Sequence, residues 1–292
     1  MRLTYEILKN LSIFRNCSFD VFSSRKIVVS LKKEFSQTPS SRKIGSTFGL
    51  KAQGYDQFTP FQSLLISELV ECSSPIHSQL RTVADLGCGS GYFAKCSRDH
   101  SQQYTVIGLD IALASLKLAK PRNTTTIQGD INALPFKASS FDAVVAASVL
   151  QWISDIDNCI TVVHDILKPD GYFLFAVFTE QSFCELNTAK QDLGIPVPVN
   201  LHNGLDFIVD LNSKQFNVCM SQTICQTFYF KTARDALKSI SNYGATAMAS
   251  EPLNRTMIKE LCARYEHKFV SEKGVPLTYS AIIGYAQKGD VS

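Results

Sequence analysis

The run Asp85-Leu86-Gly87-Cys88-Gly89-Ser90-Gly91 sets three alternate glycines behind an acid. Glycine tolerates positive φ and lacks a Cβ, so such a run turns sharply and lets a ligand approach the backbone. A dinucleotide fingerprint would need glycine at position 92, which is Tyr92. A phosphate P-loop would need Gly-Lys-Ser/Thr, which is missing. An acid just ahead of the turn disfavours phosphate and suits a cationic ligand such as an amino group. Two more acids follow. Asp110 lies 19 residues past Gly91, where a carboxylate can accept two hydrogen bonds from a ribose diol. Gly129-Asp130-Ile131 offers an acid and an apolar neighbour to an adenine amino group and ring face. Each acid alone reads more readily as a helix cap. Three at successive strand ends, on one edge, read as a site.

That placement needs strands ending side by side. Thr82–Leu86 reads as a short buried strand, followed by helix Tyr92–Arg98 and strand Tyr104–Asp110. Helix Leu113–Lys120 stops before Pro121, and strand Thr125–Gly129 precedes a loop with Pro135. Strand Asp142–Ser148, helix Ile156–Leu167, a turn at Lys168-Pro169-Asp170-Gly171 and strand Tyr172–Phe178 come next. Strands separated by helices of about 10 residues predict a parallel sheet covered on both faces, with right-handed crossovers. Upstream, Phe58–Glu71 carries apolar residues at helical period. Beyond Phe178 the pattern loosens into a loop over 194–203, strand Gln222–Phe230, helices Ala233–Tyr243 and Asn254–Lys268, and strand Pro276–Gln287.

With 45% apolar and 19% charged residues, the 292-residue chain can build a sizeable core. No apolar run approaches the roughly 20 residues of a membrane span. Nine cysteines form no Cys-x-x-Cys, and the chain start lacks the apolar core of a secretory signal, so a reducing, cytoplasmic setting is expected. The five histidines are scattered, and no metal is expected. Charge is uneven: residues 1–55 hold 10 Lys+Arg against 3 Asp+Glu, the remainder 19 against 23. The sequence thus divides into a basic N-terminal extension, 1–44, and a catalytic domain over 45–290. The extension is either a solvated arm or a segment that meets an acidic partner, a membrane surface or a targeting receptor.

In the order DLGCGSG, GLD, GDINALPF and LKPDG, the chain resembles class I S-adenosylmethionine-dependent methyltransferases over about residues 80–178. The resemblance implies a Rossmann-like α/β fold: a seven-stranded, mostly parallel sheet with an antiparallel last strand and helices on both faces. It implies S-adenosyl-L-methionine as cofactor, with Asp85 and Gly87 near its methionine moiety, Asp110 on the ribose, and Asp130 with Ile131 at the adenine. Gly89, Gly91, Ile111 and Ser148 complete the expected cofactor-binding set.

Three further segments resemble the malonyl-[acyl-carrier protein] O-methyltransferase family of biotin synthesis. They are Phe48-Gly49 with Tyr55, Val149-Leu150-Gln151-Trp152, and the late pair Gly244-Ala245-Thr246 and Pro276-Leu277-Thr278-Tyr279. Substrate-capping elements are then expected in 48–71 and 182–250. The acceptor would be a malonyl thioester on acyl carrier protein or coenzyme A. The family often carries a basic residue before Gly-Ala-Thr, where this chain has Lys238, but Ala247-Met248 replaces its usual His-Leu pair. The expected catalytic set is Tyr55, Gln151, Trp152 and Lys238, in a monomer that binds neither nucleic acid nor an integral membrane. Tyr55 would close over the cofactor, donate to the substrate carboxylate, or pack at a helix start. Gln151 and Trp152 would wall the acceptor side or pack the core. Lys238 would meet the carrier or the malonyl carboxylate, or be a solvated helix lysine.

A malonyl carboxylate, with an ordinary pKa near ~4, is ionised at neutral pH and needs no general base. The expected work is therefore alignment and exclusion of water. Cys88 has no flanking base and is not expected to be a nucleophile. His164 and Lys168 are expected on an exposed face. The remaining readings are another small-molecule class I methyltransferase, and a methyltransferase-like complex I assembly factor or hydroxylase.

Overall fold

The computed structural model describes residues 45–46, 59–100, 104–122, 125–153, 155–197, 201–242 and 253–289. All lie in one compact unit, Gln37–Ser292. Phe48, Gly49, Tyr55, Gly244-Ala245-Thr246 and the basic extension, apart from the expectations above, lie outside the described residues.

The elements are α1 (Pro60–Cys72), β1 (Thr82–Leu86), α2 (Tyr92–Asp99), β2 (Thr105–Asp110), α3 (Leu113–Ala119), β3 (Thr125–Gln128), β4 (Phe141–Ala147), α4 (Ile156–Ile166) and β5 (Leu167–Phe178). Then come α5 (Cys184–Asp192), α6 (Gly204–Ser213), β6 (Phe216–Phe230), α7 (Ala233–Asn242), α8 (Arg255–Phe269) and β7 (Val275–Lys288). The strands form one seven-stranded sheet in the order β3-β2-β1-β4-β5-β7-β6. β1 to β5 pair in parallel, and β7 runs antiparallel between β5 and β6.

Strand alternation splits the core into two layers. Val83, Ala143, Val145, Leu174 and Ala176 face the layer closed by α1, α2, α5, α7 and α8. Ala84, Leu86, Val144, Ala146, Phe173 and Phe175 face the layer closed by α4 and α6. Burial on both faces explains the nearly unbroken apolar runs of β4 and β5.

Four differences from the sequence reading have local causes. β5 starts at Leu167, so the expected turn at 168–171 is drawn into the strand. Phe141 pairs with Leu167, the register shifts between Phe141 and Ala143, and Asp170 takes φ 59°. Lys168 is tied to Asp142 at 2.7 Å, and His164 is buried against the Phe216 ring, so neither sits on a bare exposed face. β6 begins at Phe216, not Gln222, because a bulge between Val218 and Met220 breaks its alternation. α6 was not foreseen, although Asn203 caps it by accepting from Leu205 N and Asp206 N.

Candidate active site

The glycine run follows β1, and its backbone donors are consumed internally. Gly87 N and Cys88 N donate to Leu109 O at 2.7 and 3.0 Å, and Gly91 N donates to Cys88 O at 2.8 Å. Gly89 N donates to Asp110 Oδ2 at 2.9 Å. With those N–H groups spent, the loop is no phosphate cradle. All three glycines have positive φ, from 53° to 76°. A Cβ on Gly87 would lie 2.5 Å from Val149 Cγ2, whereas a Cβ on Gly89 would meet nothing nearer than 4.0 Å. The open side at Gly89 is room for a ligand.

That room belongs to a cavity of about 1090 Å³, open mouth included, at the C-terminal ends of β1 to β4. Gly87, Gly89, Asp110, Ile111, Asp130, Ile131, Ser148 and Trp152 all border it. Asp110 is buried, and its Oδ1 accepts Ala112 N at 2.8 Å. Burial pushes its pKa up, partly offset by the backbone N–H groups it holds. Asp130 caps a single turn of 3₁₀ helix, accepting both Asn132 N and Asn132 Nδ2. It is thus a cap and a wall residue at once. Ser148 stands at φ 57° with its Oγ enclosed.

Four predicted residues are placed elsewhere. Asp85 does not border the cavity. Like Val83, it points from β1 into the layer under α1 and α2, fully buried, with Oδ2 unpartnered among the described residues. Burial, reinforced by the Asp110 charge, pushes its carboxyl up to about 7. Gly91 caps α2 and faces Ala119 and Arg122. Gln151 stands behind the wall, its Nε2 donating to Ser148 O at 2.9 Å. Lys238 is exposed on α7 and outside the wall, so the structure does not bring it to the cavity. Cys88 does border the cavity, but burial holds its thiol far above the ordinary range.

The sequence reading missed Thr59, Gln62, Ser63 and Tyr92, which close the cavity from α1 and α2. One signal was present. Gln62 precedes Leu65, Ile66 and Leu69 by helical steps, so it is a polar residue on a buried apolar stripe.

A diol, an amino group and a sulfonium cation all suit a cavity with acids at two strand ends and an apolar wall between them. This sheet order with β7 reversed, and this glycine loop, define a class I S-adenosylmethionine-dependent methyltransferase. A methyltransferase-domain family model matches residues 84–175. A crystal structure of a candidate methyltransferase of Bacillus halodurans superposes with a TM-score of 0.54 at 15% identity, covering 77% of this chain and 99% of that one. The malonyl-[acyl-carrier protein] O-methyltransferase of Erwinia billingiae is 31% identical over 254 residues, 85% of this chain and 98% of its own. That of Halalkalibacterium halodurans is 26% identical, over 80% and 94%. The chain belongs to the malonyl-[acyl-carrier protein] O-methyltransferase family. Among the described residues no helix is long and apolar enough to cross a membrane, and no side-chain cluster could hold a metal.

Proposed function

We propose that the protein methylates the free carboxylate of a malonyl thioester carried by acyl carrier protein, giving the methyl ester that primes pimeloyl assembly for biotin. One observation carries the choice of acceptor. Among the described residues no Lys, Arg or His borders the cavity, and its two acids are already engaged in backbone hydrogen bonds. A hydroxyl or amine acceptor would call for a base. A carboxylate arrives ionised and needs only to be aligned and kept dry.

S-adenosyl-L-methionine, when bound, supplies an electrophilic methyl group on a cationic sulfur. In this reading the backbone at Gly87 and Gly89 lines its path. The spare lone pairs of Asp110 take the ribose hydroxyls, and Asp130 with Ile111 and Ile131 frames the adenine. Trp152 walls the acceptor side, and Ser148 lines the cofactor's path. Tyr55, in capping elements over 48–71 and 182–250 of a domain spanning 45–290, would close over the cofactor or donate to the substrate carboxylate. The enzyme acts as a cytoplasmic monomer. The test is a methyl-transfer assay comparing malonyl carrier protein, malonyl-coenzyme A and free malonate, with mass spectrometry of the product. Transfer to the carrier-bound malonyl group is expected. Transfer to none of the three, by enzyme that binds the cofactor, overturns this reading.

A further inference from the structure

Ser148, just past the end of β4, turns the cavity wall through a left-handed bend. Its φ is 57°, and of the five described non-glycine residues with positive φ it is the one that borders the cavity. Serine has no intrinsic preference for that region, so something must hold it there. Two hydrogen bonds do. Ser148 N donates to Ala176 O on β5 at 2.8 Å, and Ser148 O accepts Gln151 Nε2 at 2.9 Å. The first fixes the entry to the bend, and the second closes it.

The bend places two side chains along the cavity wall. Val149 turns back on the glycine loop: a Cβ on Gly87 would fall 2.5 Å from Val149 Cγ2, so the valine is seated on the glycine itself. Trp152 N donates to Val149 O at 3.0 Å, which closes the single 3₁₀ turn Leu150–Trp152 and keeps Trp152 at the wall. Gln151 lies between them, 7% exposed and outside the wall. Its Oε1 is enclosed without a partner among the described residues. A leucine of similar size would fill that space without burying an unpaired oxygen, so packing alone gives no reason for glutamine here. Nor can the amide be turned over, since Oε1 would then oppose Ser148 O.

We propose that Gln151 is a positioning residue for methyl transfer: its amide pins Ser148 in the left-handed region, and through that bend it sets Val149 against the glycine loop and Trp152 against the acceptor. The kinetic consequence rests on the malonyl-thioester reading above. With no proton to move, that step depends on how the carboxylate oxygen, methyl carbon and sulfur are aligned, so a displaced wall is costly.

Trp152 is the chain's single tryptophan, so its fluorescence reads the bend without any substrate. The variants are Gln151→Leu, Gln151→Glu, and Gln151→Leu in a Ser148→Gly background. Kinetics use malonyl carrier protein or malonyl-coenzyme A, whichever wild type turns over. Gln151→Leu is expected to move the Trp152 emission to longer wavelength and to increase its quenching by acrylamide. It should lower kcat/KM for the malonyl thioester about tenfold, the loss of roughly one hydrogen bond. Glycine meets no penalty at positive φ, so the same substitution made on Ser148→Gly should cost less than about threefold relative to Ser148→Gly alone. A protonated carboxylic acid at position 151 can donate to Ser148 O, and a carboxylate cannot. Gln151→Glu should therefore approach wild type at about pH 6 and fall away from it by about pH 8, in emission as in rate, because burial holds the new acid's pKa up. A packing role would give a ratio to wild type that does not change with pH. Unchanged emission, or unchanged kcat/KM, in Gln151→Leu overturns the inference. So does an equal loss in both backgrounds, or a flat pH ratio for Gln151→Glu. Should Gln151→Leu not fold, Gln151→Glu decides alone. A wild type that binds S-adenosylhomocysteine but is inert on malonyl thioesters overturns the substrate reading, and the Trp152 emission of the variants then decides whether Gln151 holds the bend.

Discussion

Asp110 Oδ2 accepts the backbone N–H of Gly89 at 2.9 Å, so the end of β2 locks the glycine loop that follows β1. The other oxygen holds Ala112 N at 2.8 Å, and each keeps a second lone pair for a ligand. One carboxylate therefore shapes the loop and faces the cavity.

Replacing Asp110 with Ala should weaken S-adenosylmethionine binding by ~1.5–3 kcal/mol, the range for a charged hydrogen-bond partner. Asp110→Asn should fare little better despite its shape, because its NH₂ group would confront a backbone N–H. Calorimetry is the check. Unchanged affinity in a folded variant would remove Asp110 from the cofactor site.

At Gly87 the obstacle to substitution is twofold. The backbone sits at φ 69°, and a Cβ would fall 2.5 Å from Val149 Cγ2. Gly87→Val should abolish cofactor binding. In a Gly87→Ala protein, adding Val149→Ala should relieve the 2.5 Å collision yet leave the Val149 Cβ at 2.9 Å and the left-handed backbone penalty, about 1–2 kcal/mol. Partial recovery of affinity in the double variant is expected. Full recovery would show that the backbone conformation costs nothing.

Asp85 makes stability depend on pH. Burial first, and the Asp110 charge second, raise its carboxyl from 3.8 to about 7. The folded state thus binds this proton more tightly than the unfolded chain does, and folding loses stability as pH rises between those values. Below about pH 4 the penalty is absent, and above about pH 7 it is complete and constant. Three units at about 1.36 kcal/mol each make it of order 4 kcal/mol. Asp85→Asn should flatten the slope and gain stability mainly near pH 8. Denaturant midpoints from about pH 4 to about pH 8 are the measurement. Identical slopes in the two proteins would clear Asp85 of this role.

The strand–helix alternation from Thr82 to Phe178 was legible because its strands, the edge strand β3 excepted, are largely buried and its helices are short and separate. The acids at β2 and β3 were legible for the same reason, since strand ends fix their position. Side-chain direction was harder to see. Asp85 stands two residues before Gly87, yet strand alternation turns it away from the cavity. α5 buries only Leu186 and Ala189, too few residues to give a clear period. The bulge at Cys219 hid the first part of β6. Gln62 was missed because an apolar stripe draws attention to its hydrophobic members.

Lys238 was expected at the substrate, and its exposed position on α7 narrows what it can do. Ala233 and Ala236 face the core, while the lysine faces solvent, so it cannot also pair with a carboxylate inside the cavity. In the proposed reaction its remaining role would be attraction at a distance, toward a carrier protein of acidic surface. Such an attraction acts on encounter and is screened by salt, with a Debye length near 10 Å at 0.1 M and about 3 Å at 1 M. Lys238→Ala should therefore lower kcat/KM for malonyl carrier protein at low salt, leave kcat unchanged, and match wild type at high salt. S-adenosylmethionine affinity should not move at either salt level. A deficit that persists at high salt would mean direct contact with the acceptor, and equal kcat/KM at both levels would leave Lys238 a solvated helix lysine.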